Sequence, residues 1–144
     1  MRVDFHSGVA DKVGAACRFL HKAQAAGAQV VVCGDRNLLD RLDAALWTFE
    51  PLSFVAHVRV KDRAPPPARA CAPTWLVDDP NAVAPREVLL NLGPDMVQGW
   101  EQFARVVEIV SADAEDADAG RQRWRRYGAT PGVEVIHHPR GAAA

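Results

Sequence analysis

Residues Gln29 to Arg36, QVVVCGDR, contain three consecutive valines. Such a run leaves no polar side for water, so a strand here has to be covered on both faces, as strands of a parallel sheet are. Asp35 can cap the helix that follows, in which Leu38, Leu39, Leu42, Ala45 and Leu46 keep a helical stripe. Upstream, Val13, Ala16, Cys17 and Leu20 recur at helical spacing after Asp11, and Gly27 supplies the left-handed conformation of a C-terminal cap. Before that helix, Val3 and Phe5 alternate with polar neighbours between Arg2 and His6, which predicts a strand. The chain therefore opens as strand, helix, strand, helix.

Further along, Thr74 to Val77 (TWLV) and Val88 to Leu92 (VLLNL) predict short strands on either side of the turn-rich DDPNAVAP. Val97, Trp100, Phe103 and Ala104 have the spacing of a short helix, and Arg105 to Val110 (RVVEIV) returns to strand character. A last helix is expected from about Ala114 to Tyr127, followed by an edge strand over Val133 to His137. Strands alternating with helices predict an α/β fold with a mostly parallel, Rossmann-like sheet flanked by helices. Lys61 to Pro73, KDRAPPPARACAP, cannot form regular structure, because each proline removes a donor and restricts its predecessor. It is read as an exposed loop within one domain over residues 1–140, with 141–144 a short tail. A domain boundary there would leave each half near the lower limit for an independent core.

With 49% hydrophobic and 24% charged residues, a chain of 144 residues can bury one good core. The formal net charge of -1 gives no global pull toward nucleic acid or an anionic membrane, so an electrostatic partner must meet a local patch. Cys17, Cys33 and Cys71 are odd in number and widely spaced, which suits reduced thiols in a cytoplasm. No apolar run reaches membrane-spanning length, and MRVDFH lacks the layout of a signal peptide. One loop is unusual. After the helix ending near Trp47, the chain carries Phe49, Pro51, Leu52, Phe54 and Val55, too many apolar side chains for a solvated connection, so local burial or a docking surface is expected.

The usual chemistry of such a fold is missing its motifs. The turn after the first strand, HSGVADKVG, has neither GxGxxG nor GxxxxGK[ST], so no phosphate-cradling loop is present. His137 and His138 are adjacent, and adjacent side chains on a strand point to opposite faces, which argues against a shared metal. His6 and Ser7 could pair as base and nucleophile, but no GxSxG elbow accompanies them. Cys33 is most simply a small core hydrophobe.

The last helix carries the positive signal. Acids at Asp113, Glu115, Asp116 and Asp118 lead, and Arg121, Arg123, Arg125 and Arg126 follow, the gradient that a helix dipole favours. A solvated helix with pairs such as Asp118 and Arg121 explains that gradient by itself. Spacing adds that Arg121, Trp124 and Arg125 fall at i, i+3 and i+4, so two guanidiniums flank an indole. Such a face suits an acidic peptide with an aromatic or free carboxylate end, and equally a phosphate backbone with stacked bases.

LDAALWTFEPLSFVAH (Leu42 to His57) and VVEIVSADAEDADAGRQRWRRY (Val106 to Tyr127), together with VVVCGDRN at the second strand, resemble the chi subunit family of bacterial DNA polymerase III. The resemblance covers most of the chain, and implies a Rossmann-like domain without nucleotide binding, cofactor or intrinsic catalysis, serving a polymerase holoenzyme. It implies two protein partners: the psi subunit of the clamp loader, and the acidic, phenylalanine-ended tail of single-stranded DNA-binding protein. DNA would be met only indirectly. Carried over by position, the tail site falls on Arg121, Trp124 and Arg125 with Val110 as an apolar wall, and the family commonly has tyrosine where this chain has Trp124. The psi-facing surface falls on the apolar loop with Phe54 as anchor, and Trp47 is expected to pack beneath that loop. The competing expectation is a small α/β enzyme or nucleotide-binding protein, with a site at the strand C-terminal ends near His6, Ser7 and Asp35. Direct DNA binding through the arginine helix is poor at this net charge.

Overall fold

The computed structural model describes residues 1–48, 55–60, 72–79 and 87–139. Strand β1 (Arg2–Val9) leads to helix α1 (Lys12–Ala25), β2 (Val30–Cys33) and α2 (Arg36–Thr48). Then come β3 (His57–Val60), β4 (Thr74–Val77), β5 (Val88–Asn91), a single 3-10 turn (Trp100–Gln102), β6 (Arg105–Ser111), α3 (Ala114–Gly128) and β7 (Glu134–His138). The strands form one seven-stranded sheet in the order β3-β4-β2-β5-β6-β1-β7. Every neighbouring pair is parallel.

The valine run behaves as its composition requires. All four residues of β2 are buried, as are all four of β4 and β5 on either side of it. Alternation then divides the core between the two faces of the sheet. Val30 and Val32 pack with Leu20, Leu39 and Leu42 of α1 and α2. Val31 and Cys33 pack on the other side, in the cluster that holds Phe5, Trp100 and Tyr127. Helices α1 and α2 thus cover one face, and α3 with the 3-10 turn covers the other.

Helix ends follow local chemistry. Gly27 has φ of 78°, and beside it the amides of Gly27 and Ala28 donate to the carbonyls of Gln24 and Ala23 at 3.0 and 2.9 Å. That pairing satisfies two carbonyls left over at the end of α1. At the start of α3, the Asp113 side chain accepts from the Asp116 amide at 3.4 Å, and Glu115 and Asp116 lie in the first turn, where the dipole favours negative charge.

Two elements differ from expectation. Residues 97–104 form only the 3-10 turn, because Gly99 enters it with φ of 85° and Phe103 leaves it extended. Val97, Trp100 and Phe103 are nevertheless all buried, so their spacing marked burial without a true helix. The edge strand β3 emerges from the end of the apolar loop, where a run of four residues is too short to announce itself by alternation. Trp47, expected to pack beneath the apolar loop, is 64% exposed on α2, with its ring 5.5 Å from that of His57. Phe54, and Lys61 to Cys71 of the proline-rich loop, lie outside the described residues.

Candidate protein-binding cleft

Parallel α/β sheets offer ligands a crevice at the carboxyl ends of their strands. In this chain the C-terminal ends of β1, β6 and β7 meet the side of α3 around a cleft of about 660 Å³. Helix α3 contributes Ala117, Gly120, Arg121, Trp124 and Arg125 to the lining, a stripe at helical spacing. Small residues at 117 and 120 leave the hollow; the large indole at 124 closes one side of it. The sheet supplies Phe5, Ser7, Val110 and His137.

All four expected tail-site residues therefore meet in one place. Val110, Arg121, Trp124 and Arg125 line the same cleft. Val110 is buried and Trp124 is 37% exposed, so the hollow has an apolar floor and a half-open aromatic wall. Both arginines are exposed at its rim. Arg121 is hydrogen-bonded to Asp118, one turn earlier. Among the described residues, no carboxylate forms an ion pair with Arg125.

The sheet-facing side of α3, which adjoins that stripe and shares Gly120 with it, explains why the stripe faces outward as it does. Gly120, Arg123 and Tyr127 are buried against the sheet. A Cβ at Gly120 would lie 2.9 Å from both methyls of Val110, so only glycine permits this closeness between α3 and β6. One turn on, Arg123 Nε donates at 3.0 Å to the fully buried carboxylate of Glu108, which also accepts from the Tyr127 hydroxyl at 2.8 Å. Asn91 Nδ2 donates to the same carboxylate at 3.1 Å and to the Asp95 carbonyl at 2.8 Å. Burial pushes the Glu108 carboxyl above its ordinary range, against the pull of Arg123, Tyr127 and Asn91. Burial likewise raises the Tyr127 hydroxyl and the Cys33 thiol, so neither ionises readily.

Sequence reading missed Phe5, Ser7, Gly120 and His137 in the cleft, and Glu108 and Arg123 beneath it. A helical wheel carries part of the signal, since positions 120, 123 and 127 share a face. That an arginine is turned inward is legible only once a carboxylate is seen on the strand opposite.

Residues of the competing expectation are dispersed. Ser7 bonds His137 at 2.5 Å in the cleft, while His6 lies on the other face of β1, its ring 4.6 Å from that of His138. Burial and the neighbouring His138 hold His6 below its usual value. Asp35 follows β2, three strand spacings from β1, or about 14 Å. His137 and His138 do point to opposite faces: the first toward Trp124, the second to Asp4 at 2.9 Å.

Fold and cleft together define a parallel α/β domain that lacks a glycine phosphate loop and carries a peptide-sized hollow rimmed by arginine. Comparison with known proteins gives it a family. The family described as DNA polymerase III chi subunit, HolC, matches residues 1–134, and the chain belongs to that family. A relative from Pseudomonas aeruginosa, DNA polymerase III subunit chi, is 29% identical over 131 residues, covering 88% of each chain. The chain is thus a protein of DNA replication. Among the described residues, no helix is long and apolar enough to cross a membrane.

Proposed function

We propose that this chain is a non-catalytic bridge in the replisome, joining the clamp loader to single-stranded DNA-binding protein. The acidic, phenylalanine-ended tail of that protein occupies the cleft between α3 and the ends of β1, β6 and β7. Its terminal ring enters the hollow over Val110 and against Trp124, and its carboxylates meet Arg121 and Arg125. The supporting observation is the convergence of Val110, Arg121, Trp124 and Arg125 on one cleft, apolar within and cationic at its rim. An aromatic group removed from water and a charge-assisted bond at the mouth are complementary demands, and this hollow meets both.

The psi subunit docks on α2 and the apolar loop that follows it in sequence, with Phe54 as its anchor. Trp47 supports this second face: a tryptophan 64% exposed beside that loop is a large apolar surface of the sort interfaces bury.

Titration with a peptide copying the acidic tail tests the first face. The intact chain binds it, and Arg125→Ala weakens binding by about 1 to 3 kcal/mol, the cost of losing a hydrogen bond to a charged group. Undiminished binding by Arg125→Ala sinks the tail-site assignment.

A further inference from the structure

The cleft has a polar corner with no part in the reading above. Ser7 on β1 and His137 on β7 share a hydrogen bond of 2.5 Å, although 130 residues separate them in sequence. Phe5 and His137 are direct partners in the β1–β7 register, and Ser7, just past the register shift that follows His6, reaches the same cleft. Both members of the bonded pair line the cleft. Above them is Trp124. Its ring meets His137 edge-on at 5.7 Å and 74°, and meets Phe5 edge-on at 5.3 Å and 74°. One indole is thus gripped by rings from two neighbouring strands, and the outer of those rings is tied down by Ser7.

An indole on an exposed helix face would otherwise exchange rotamers, and each exchange would open or close the hollow. Phe5 is 3% exposed and packed into the core, whereas His137 is exposed and has a ring nitrogen bonded to Ser7. We propose that Ser7 and His137 are positioning residues of the cleft: their hydrogen bond holds the His137 ring edge against Trp124 and keeps the aromatic wall set for an incoming aromatic side chain. Their contribution is preorganisation, because a wall already ordered loses less rotamer freedom when the ligand arrives. This rests on the cleft receiving an acidic segment with an aromatic end, as proposed above.

Ser7→Ala, His137→Ala and the double variant are titrated with the acidic, phenylalanine-ended peptide, alongside the intact chain and Arg125→Ala. Side-chain order at Trp124 is read separately from its indole N–H resonance, assigned by its loss in Trp124→Phe. Each single variant is expected to bind about three- to ten-fold more weakly. The double variant is expected to lose no more than His137→Ala alone, since both act through one bond. Melting temperature stays near that of the parent, because neither residue belongs to the core, and the Trp124 resonance broadens or moves without any ligand. Binding within two-fold of the parent in both single variants, while Arg125→Ala is impaired, overturns the inference and leaves the tail-site reading standing. If the intact chain binds no peptide, that reading fails, and the Trp124 resonance still decides: unchanged in Ser7→Ala and His137→Ala, it overturns the positioning role as well.

Discussion

Gly120 shows how one missing side chain shapes the cleft. Alanine is the better helix former by about 1 kcal/mol, so propensity alone would make Gly120→Ala stabilising. The added Cβ, however, meets both Val110 methyls at 2.9 Å, and a β-branched side chain has few rotamers into which to retreat. Overpacking of this kind costs about 1–3 kcal/mol and wins. Gly120→Ala is therefore expected to lower the melting temperature and to weaken tail-peptide binding, since α3 lifts from the floor it shares with Val110; an unchanged or raised melting temperature contradicts this. Beneath the same helix, Arg123 is paired with Glu108 where both side chains are almost wholly buried, at 3% and 0% exposure. Arg123→Leu strands a buried carboxylate, and removing one partner of such a pair costs about 3–5 kcal/mol. Denaturant unfolding measures it. A loss below 1 kcal/mol, with an unaltered slope, would mean that the pair is not buried as described.

At the level of elements, the alternation of strands and helices was readable because each central element has one strong pattern. β2 is an unbroken apolar run, while α1 and α2 carry stripes at helical spacing. The edge was harder. β3 has four residues, of which only Val60 is buried, so its membership of the sheet depends on β4 and leaves little imprint on its own sequence. The cleft divides in the same way. Arg121, Trp124 and Arg125 are legible as one face of a helix, but Phe5, Ser7 and His137 join them only through the β6-β1-β7 order, which local sequence does not encode. Trp47 marks the limit from the other side: apolar character argued for burial, and α2 instead presents it to solvent. With α2 and the loop after it taken as the psi-facing element, Phe54→Ala and Trp47→Ala should each weaken a pull-down with psi while leaving tail-peptide affinity within two-fold of the parent. Equal loss of both activities would point to unfolding.

Across the whole molecule, the two proposed faces stand far apart. β3 and β7 are opposite edges of the sheet, six strand spacings or about 29 Å from each other, and α2 and α3 cover opposite faces. Separate partners can therefore sit on them without sharing residues, which is the geometry a bridge needs. The β6-β1-β7 end is held by Asp4, fully buried, which accepts from Arg105 at 2.8 Å, Arg2 at 3.1 Å and His138 at 2.9 Å. Burial pushes its carboxyl up, but hydrogen bonds from His138, Arg105 and Arg2 together outweigh that and hold it below 3.8. Asp116 is depressed in the same way: Lys12 and Ser111 outweigh burial. A depressed carboxylate stabilises the fold above its unfolded value and stops doing so as pH falls through the folded one, so this contribution disappears below 3.8. Glu108 has the opposite sign: its raised carboxyl favours the fold less as pH rises from 4.5 through its folded value. Asp4→Asn should therefore be less stable than the parent at neutral pH, with the gap in melting temperature closing in acid. A gap independent of pH contradicts the role given to Asp4.

Amide chemical-shift mapping of the intact chain, with the acidic, phenylalanine-ended peptide added, tests the bridge most directly. Perturbations are expected to gather at the ends of β1, β6 and β7 and along Ala117 to Arg125 of α3, leaving α2 and β3 unmoved. Shifts gathered on α2 and β3, or none at saturating peptide, would contradict a tail site in this cleft.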